Sequence, residues 1–377
     1  MKVSLPVVGD VEERIREIGA GLDSAGGYVR NALLHFSGVE EAAVATTPAE
    51  LVWSRDKAQL FRYAPDQRRH TTPVLLVMSL VTRPTVFDLT PRHSLVRALV
   101  EQGHDVYLLD WGIPDAVESA NTLETYSDEY LPRAIARCIE VSESSEVALF
   151  GYCLGGVLAL LTAAAHPELP IASMLLLATP VDFKELGPAV RMLANGRVDV
   201  DDLVDVTGNV PPDTLLAGFK LVQPAGDIAT YNSLWHSFRD RRALHAHQAI
   251  VGWSTGNIPF PGATMRQIQE QFLRDGELAN GKVTFAGRTV ELASLTMPIL
   301  IMTGTRDKLV PTAASRALPG LLSGAEVEAL EFDTGHVGLL HGRAAVKHGV
   351  PKMCAWFAGD RTGASGMSST AAESSPS

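Results

Sequence analysis

Short apolar runs alternate with amphipathic stretches through most of this chain. Residues 73–78, 106–109, 147–150, 171–178, 298–302 and 327–332 are runs of four to eight mostly apolar residues, the length of buried strands. Between them lie stretches with helical spacing, at 91–102, 123–139, 157–165, near 312–318 and at 344–357. Upstream, two apolar runs flank polar Ser54, Arg55, Asp56 and Lys57, which predicts a hairpin. Continuous apolar strands separated by helices predict a mostly parallel sheet covered on both faces. The alternation lapses over 184–290, where helical pieces, Pro211-Pro212 and a loop over 252–262 are expected. An insertion between two strands of one sheet predicts a cap.

These patterns divide the chain into an N-terminal helical segment (1–48), a core (49–183 and 291–358), the inserted cap (184–290) and a tail (359–377). Ile15, Ile18 and Leu22 carry the helical spacing of the first segment, which Gly26-Gly27 interrupts. The tail is rich in Ser, Ala and Gly and is expected to be disordered.

Residues 151–156 read Gly151-Tyr152-Cys153-Leu154-Gly155-Gly156, between a strand and a helix. That context fits the nucleophile elbow of an α/β-hydrolase fold, with cysteine in the serine position. The turn is tight and strained, so Gly151 and Gly155 keep it uncrowded and Gly156 permits close approach by a neighbouring strand. The helix after Cys153 directs free N–H groups and its positive end at the sulfur, favouring the attacking thiolate. The N–H of Leu154 forms one half of an oxyanion hole, and the loop near Val81 is expected to form the other.

An elbow enzyme needs an acid and then a histidine further along the chain. Asp307 and His336 follow the last two strands, at the carboxyl ends where α/β sheets place their sites. His336 is flanked by Gly335 and Gly338 and would take the thiol proton, with Asp307 fixing its tautomer. Asp110, Asp333 and His341 are the competing candidates. Asp110 is expected to bond loop amides instead, and Asp333 would have to fold back. Cys138 and Cys354 lie among apolar neighbours and are expected in the core.

Composition narrows the function. A formal net charge of −11 argues against a nucleic-acid partner. Three separated cysteines form neither a disulfide framework nor a metal set, and His245 and His247 have no third ligand in view. No apolar stretch reaches the length of a membrane span and the N-terminus has no signal core, so a cytoplasmic protein without metal or cofactor is expected.

Longer segments resemble one family. Residues 73–84 (PVLLVMSLVTRP) with Phe87-Asp88-Leu89, residues 103–112 (GHDVYLLDWG), residues 178–183 (ATPVDF) and the loops around Asp307 and His336 are similar to polyhydroxyalkanoate synthases. The resemblance spans about 49–358; in the cap only Trp253, Pro259 and Gly262 match. It implies that Cys153 is loaded from (R)-3-hydroxyacyl-CoA and passes the acyl group to a growing polyester. It also implies that Asp307 acts on the 3-hydroxyl, directly or through His336. With about fifty residues before its first strands, the chain resembles the short type that works with a second subunit, at polyester granules, and a homo-oligomer is a further expectation. The family has His after the acid, Asn in the oxyanion loop and Gly before the His-loop glycine; this chain has Lys308, Thr82 and Thr334. Two other readings stay open. One is a thioesterase, dienelactone-type or polyester hydrolase with the same triad. The other is a non-catalytic granule-binding protein, attached through apolar cap residues such as Phe219, Leu221 and Phe260.

Overall fold

The computed structural model of the protein describes residues 44–222 and 241–361. The helix expected from Ile15, Ile18 and Leu22 and most of the expected tail lie outside the described residues.

An eight-stranded sheet organises the molecule. We label its strands β1 (Glu50–Arg55), β2 (Ala58–Tyr63), β3 (Val74–Val77), β4 (Val106–Asp110), β5 (Val147–Tyr152), β6 (Ile171–Leu177), β7 (Ile299–Gly304) and β8 (Val327–Phe332). Their spatial order is β1-β2-β4-β3-β5-β6-β7-β8. Strands β3 to β8 pair in parallel, and the β1–β2 hairpin adds antiparallel to the edge at β4. The parallel expectation therefore holds for all but the first two strands.

Burial explains the sequence pattern. Every residue of β3, β5 and β7 is buried, because helices cover both faces. Alternate residues feed two separate cores. Leu75, Val77, Leu149, Leu176 and Ile301 enter one, and Val74, Leu76, Ala148, Phe150, Leu175 and Met302 the other. Edge strand β8 mixes half-buried and exposed positions.

Helix α1 (Leu95–Glu101) begins four residues later than the periodicity predicts. Asp88–Thr90 and His93–Ser94 pair as a small antiparallel unit, and the Ser94 hydroxyl accepts from the Arg97 N–H at 2.9 Å, capping the helix there. The helix expected over 123–139 is a π-helical turn, Thr125–Tyr130, running into α2 (Leu131–Ser142). Helix α3 (Leu154–Ala165) follows the elbow and is buried at every residue but Ala164. A helix apolar all round must be enclosed, and the sheet encloses one side of it.

Between β6 and β7 the described residues form helices and two strand pairs that the pattern did not predict, the smaller joining Asn209–Val210 to Phe260–Pro261. Lys282–Phe285 and Arg288–Glu291 form an antiparallel hairpin. Ala286 and Gly287 turn it with φ of 49° and 73°. Val283, Phe285 and Val290 point inward and join the same core as α3. Arg288 ties the hairpin to that helix by donating to the Ala165 carbonyl at 2.8 Å. The last helical region also splits, into Gly338–His341, a π turn over Ala345–Gly349, and α4 (Val350–Phe357).

The elbow glycines are sites of near-contact. A Cβ on Gly156 would lie 2.0 Å from the Thr179 hydroxyl oxygen, and one on Gly155 would lie 2.2 Å from the Val77 carbonyl oxygen. The first obstacle is a side chain and the second is backbone. Gly156→Ala is expected to destabilise the fold by about 1–3 kcal/mol, the usual cost of overpacking. Adding Thr179→Ala should restore at least half of that loss, whereas Gly155→Ala should gain nothing from the same change. Urea midpoints at constant m-value would test this, and equal rescue of both variants would contradict it.

Candidate active site

The chain leaves β5 at Tyr152 and enters α3 at Leu154, so Cys153 alone makes the turn. Its φ of 55° and ψ of −125° are strained for a residue with a side chain. Such geometry costs about 1–3 kcal/mol and persists only where surroundings enforce it. Here the Cys153 N–H donates to the Leu177 carbonyl at 2.9 Å, and its own carbonyl accepts from Gly156 at 3.0 Å. A Cβ on Gly151 would lie 2.4 Å from the Gly156 Cα, so strand and helix touch backbone to backbone across the turn.

Asp307 and His336 come from the loops that leave β7 and β8. Those loops are joined: the Thr305 N–H donates to the Phe332 carbonyl at 2.9 Å, and the Arg306 N–H to the Thr334 carbonyl at 3.1 Å. One Asp307 oxygen accepts from the N–H groups of Leu309 and Val310, both at 2.8 Å. The other meets His336 Nδ1 at 2.7 Å. The Asp307 side chain is fully buried and that of His336 is 10% exposed. Burial favours the neutral imidazole. The Asp307 carboxylate, by charge and hydrogen bond, and then the Cys153 sulfur, outweigh burial and raise the His336 pKa to about 10. The imidazole is thus a strengthened base whose Nδ1 is fixed on Asp307 and which also interacts with Cys153.

Tyr152 is a part of the site that sequence reasoning missed. Its ring stacks on the His336 imidazole with centroids 4.9 Å apart and an interplanar angle of 25°. Its hydroxyl donates to the His336 carbonyl at 3.3 Å. The available signal was an aromatic residue inside the elbow motif, and only the fold shows what lies opposite it.

The competing residues sit elsewhere. Asp110 accepts from the Gly112 N–H at 2.9 Å, the amide-bonding role expected of it. Asp333 is exposed and pairs with Arg306 at 2.7 Å. His341 is buried and donates from Nε2 to the Val86 carbonyl at 2.8 Å. Cys138 and Cys354 are buried, and burial raises both thiols, Cys354 to about 12. Lys308 is exposed, and Thr334 packs against Gly338.

A cavity of about 380 Å³ adjoins the sulfur. Cys153, Leu154 and Val81 all line it, so both expected oxyanion residues share one space with the nucleophile. The loop at Val81–Arg83 is tied down from the inserted segment. Ile258 N–H donates to the Val81 carbonyl at 3.0 Å, Thr82 bridges Asn257, and Trp253 Nε1 donates to the Arg83 carbonyl at 2.8 Å. A second cavity, about 430 Å³, lies between α1 and α4 and touches none of these residues. Among the described residues, no cluster of three or more His, Cys, Asp or Glu could hold a metal, and no helix is long and apolar enough to cross a membrane.

Comparison with known proteins agrees with this architecture. The family model for the alpha/beta hydrolase fold matches residues 74–342. The model for the poly-beta-hydroxybutyrate polymerase (PhaC) N-terminus matches residues 38–99. The chain is 31% identical over 348 residues to the poly(3-hydroxyalkanoate) polymerase subunit PhaC of Allochromatium vinosum, covering 91% of this chain and 94% of that one. The chain belongs to the PhaC family. A PhaC relative from Haloferax mediterranei is 32% identical over 85% of this chain, which spans only 65% of that protein. Among solved structures, the monoacylglycerol lipase of Paleococcus ferrophilus aligns with a TM-score of 0.53 at 17% identity, over 80% of this chain and 99% of that one. That likeness shows the fold alone. The resemblance first visible in the PhaC-like motifs is thereby borne out at the level of family and fold.

The raised imidazole has a consequence for stability. A histidine that gains a proton on folding stabilises most when both states hold it, below pH 6.5. The contribution is lost as pH rises through about 10. The excess stability of the native protein over His336→Gln should therefore shrink between pH 6.5 and about 10. Urea melts at several pH values would measure it, and a gap that widens with pH would sink this account.

Proposed function

We propose that the chain is a poly(3-hydroxyalkanoate) polymerase that works through a Cys153 acyl thioester. The observation that carries the reading is the buried Asp307–His336 pair beside Cys153, with Cys153 on the wall of an apolar cavity, in a member of the PhaC family.

The steps follow from the geometry. His336, held at Nδ1 by Asp307, accepts the Cys153 proton at Nε2. The thiolate attacks the thioester carbonyl of (R)-3-hydroxyacyl-CoA. Negative charge on that oxygen is met by the N–H groups of Leu154 and Val81. Collapse of the adduct breaks the bond to CoA, the imidazolium protonates the departing thiolate, and the acyl group stays on Cys153. His336 then takes the proton of a 3-hydroxyl, that oxygen attacks the Cys153 thioester, and an ester bond forms as the thiolate leaves and is reprotonated. Thioester-to-thioester exchange costs little, so the first transfer is near balance. The oxoester formed next is the more stable bond, which draws the sequence forward. Asp307 is fully buried with both oxygens engaged, and this favours activation of the hydroxyl through His336 over direct contact.

Water would divert the acyl-enzyme to free acid. The inserted segment between β6 and β7 is the proposed cap that excludes it. A second polypeptide subunit, assembly of this chain into homo-oligomers, and action at a polyester surface belong to the same proposal. The word subunit in the name of the Allochromatium relative, which the chain matches nearly end to end, supports the first, and the other two rest on the family resemblance.

Purified protein incubated with (R)-3-hydroxybutyryl-CoA should release CoA thiol and yield high-mass polyester. Cys153→Ala should lower thiol release at least about 1,000-fold, as expected on removing a nucleophile. Free hydroxy acid as the sole product would indicate a hydrolase instead. Thiol release unchanged in Cys153→Ala would overturn the Cys153 thioester, and no release above the protein-free rate would leave only a binding role.

A further inference from the structure

The cavity beside Cys153 is larger and drier than a four-carbon substrate needs. Its volume is about 380 Å³, and apart from Cys153 the polar side chains among the described residues on its wall are Ser79 and Thr214. A water takes roughly 30 Å³ in the liquid and a methylene is of similar size, so the space admits about a dozen non-hydrogen atoms. A 3-hydroxybutyryl group has six. It would fill half of the cavity and leave apolar wall facing a void, which forfeits contact. A 3-hydroxyoctanoyl or 3-hydroxydecanoyl group has ten or twelve.

Two occupants could fill the remainder: the alkyl tail of one acyl group, or the start of the polyester chain. The wall discriminates between them. A polyester carries an ester carbonyl in every repeat, and those buried against Phe183, Leu186 or Phe260 would meet no side-chain donor, since Ser79 and Thr214 are the two hydroxyls among the described lining residues. An alkyl tail loses nothing there and gains with each methylene removed from water. We infer that this cavity is an acyl-tail site and that the preferred substrates are medium-length (R)-3-hydroxyacyl-CoA thioesters, with about eight to ten acyl carbons. The inference deepens the polymerase reading and rests on it for the CoA thioester.

Gly218 offers a direct test. It lies on the cavity wall in helix Pro212–Val222, and an added Cβ there meets nothing within 4 Å. A leucine at this position adds side-chain volume at the cavity wall with no clash against a described residue, and leucine is the better helix former. Burying a methylene is worth about fourfold, so (R)-3-hydroxyoctanoyl-CoA should exceed (R)-3-hydroxybutyryl-CoA in kcat/KM for thiol release by at least about tenfold. Gly218→Leu should cut that ratio by at least about tenfold. Equal or reversed preference in the native protein, or a ratio unmoved by Gly218→Leu, overturns the acyl-tail site. Preference for the octanoyl thioester with free acid as product keeps the site and overturns the polymerase reading. No thiol release at any chain length overturns both.

Discussion

The structure depends on one close approach: the backbone of β5 against the backbone of α3 at Cys153. A strand and a helix can meet through a single residue only if nothing projects between them. Gly151 and Gly156 meet that condition, since a Cβ on Gly151 would lie 2.4 Å from the Gly156 Cα, while Gly155 and Gly156 also leave room for the Val77 carbonyl of β3 and the Thr179 side chain. The turn holds Cys153 at φ 55°, a conformation that a side chain disfavours. That strain is offset by the packing of α3, whose enclosed surface belongs to the larger core. The sulfur is therefore positioned by the interior of the fold, and it stands at the carboxyl edge of the sheet because the strand ends there.

The same edge determines which acid reaches the imidazole. β7 and β8 are neighbours in parallel, with Gly304 opposite Phe332, so their exit loops start side by side. Hydrogen bonds between those loops bring the Asp307 carboxylate to His336 Nδ1. Asp333, at the head of the histidine loop itself, points out to Arg306. Asp110 leaves β4, five places from β8 across the sheet, and accepts from its own turn at Gly112. A buried carboxylate with two backbone donors on one oxygen stays fixed, and its charge makes the adjacent imidazole a better proton acceptor. Tyr152 closes the arrangement from the elbow side, so the neighbour of Cys153 stacks flat on the His336 ring.

Much of this was legible in the sequence because it rests on local physics. Strands covered on both faces must be continuously apolar, and every predicted core strand occurs within a few residues of its pattern. The elbow glycines were legible because the motif sits in one short turn between a strand and a helix, although the atoms that crowd Gly155 and Gly156 belong to distant Val77 and Thr179. What was hidden depends on distant partners. Residues 91–94 carry helical spacing, but Asp88–Thr90 claims His93 and Ser94 for a strand pair. The hairpin at Lys282–Glu291 was lost among helical pieces, since its Ala286-Gly287 turn lacks the usual Asn or Asp. Its alternation at Val283, Phe285 and Val290 was the missed signal. The stacking of Tyr152 on His336 joins residues 184 positions apart, and no pattern within either segment encodes it.

The proposed chemistry is not decided by the triad alone. Thiolate, imidazole and carboxylate serve water and an alcohol equally well as acceptor, so selection has to come from what surrounds the acyl-enzyme. The inserted segment does two things there at once. Residues such as Phe219 and Phe260 make the wall apolar, which disfavours a free water beside the thioester. Trp253 and Ile258 hold the Arg83 and Val81 carbonyls, so the same segment fixes the loop whose Val81 N–H is proposed to meet the oxyanion. The peptide groups of a loop rotate together, and a carbonyl pinned on one side constrains the N–H directions on the other. Displacing the segment would therefore admit water and loosen the oxyanion donor in one movement. An acyl-enzyme exposed to solvent would then face a weakened oxyanion hole, so hydrolysis is penalised by the very motion that permits it.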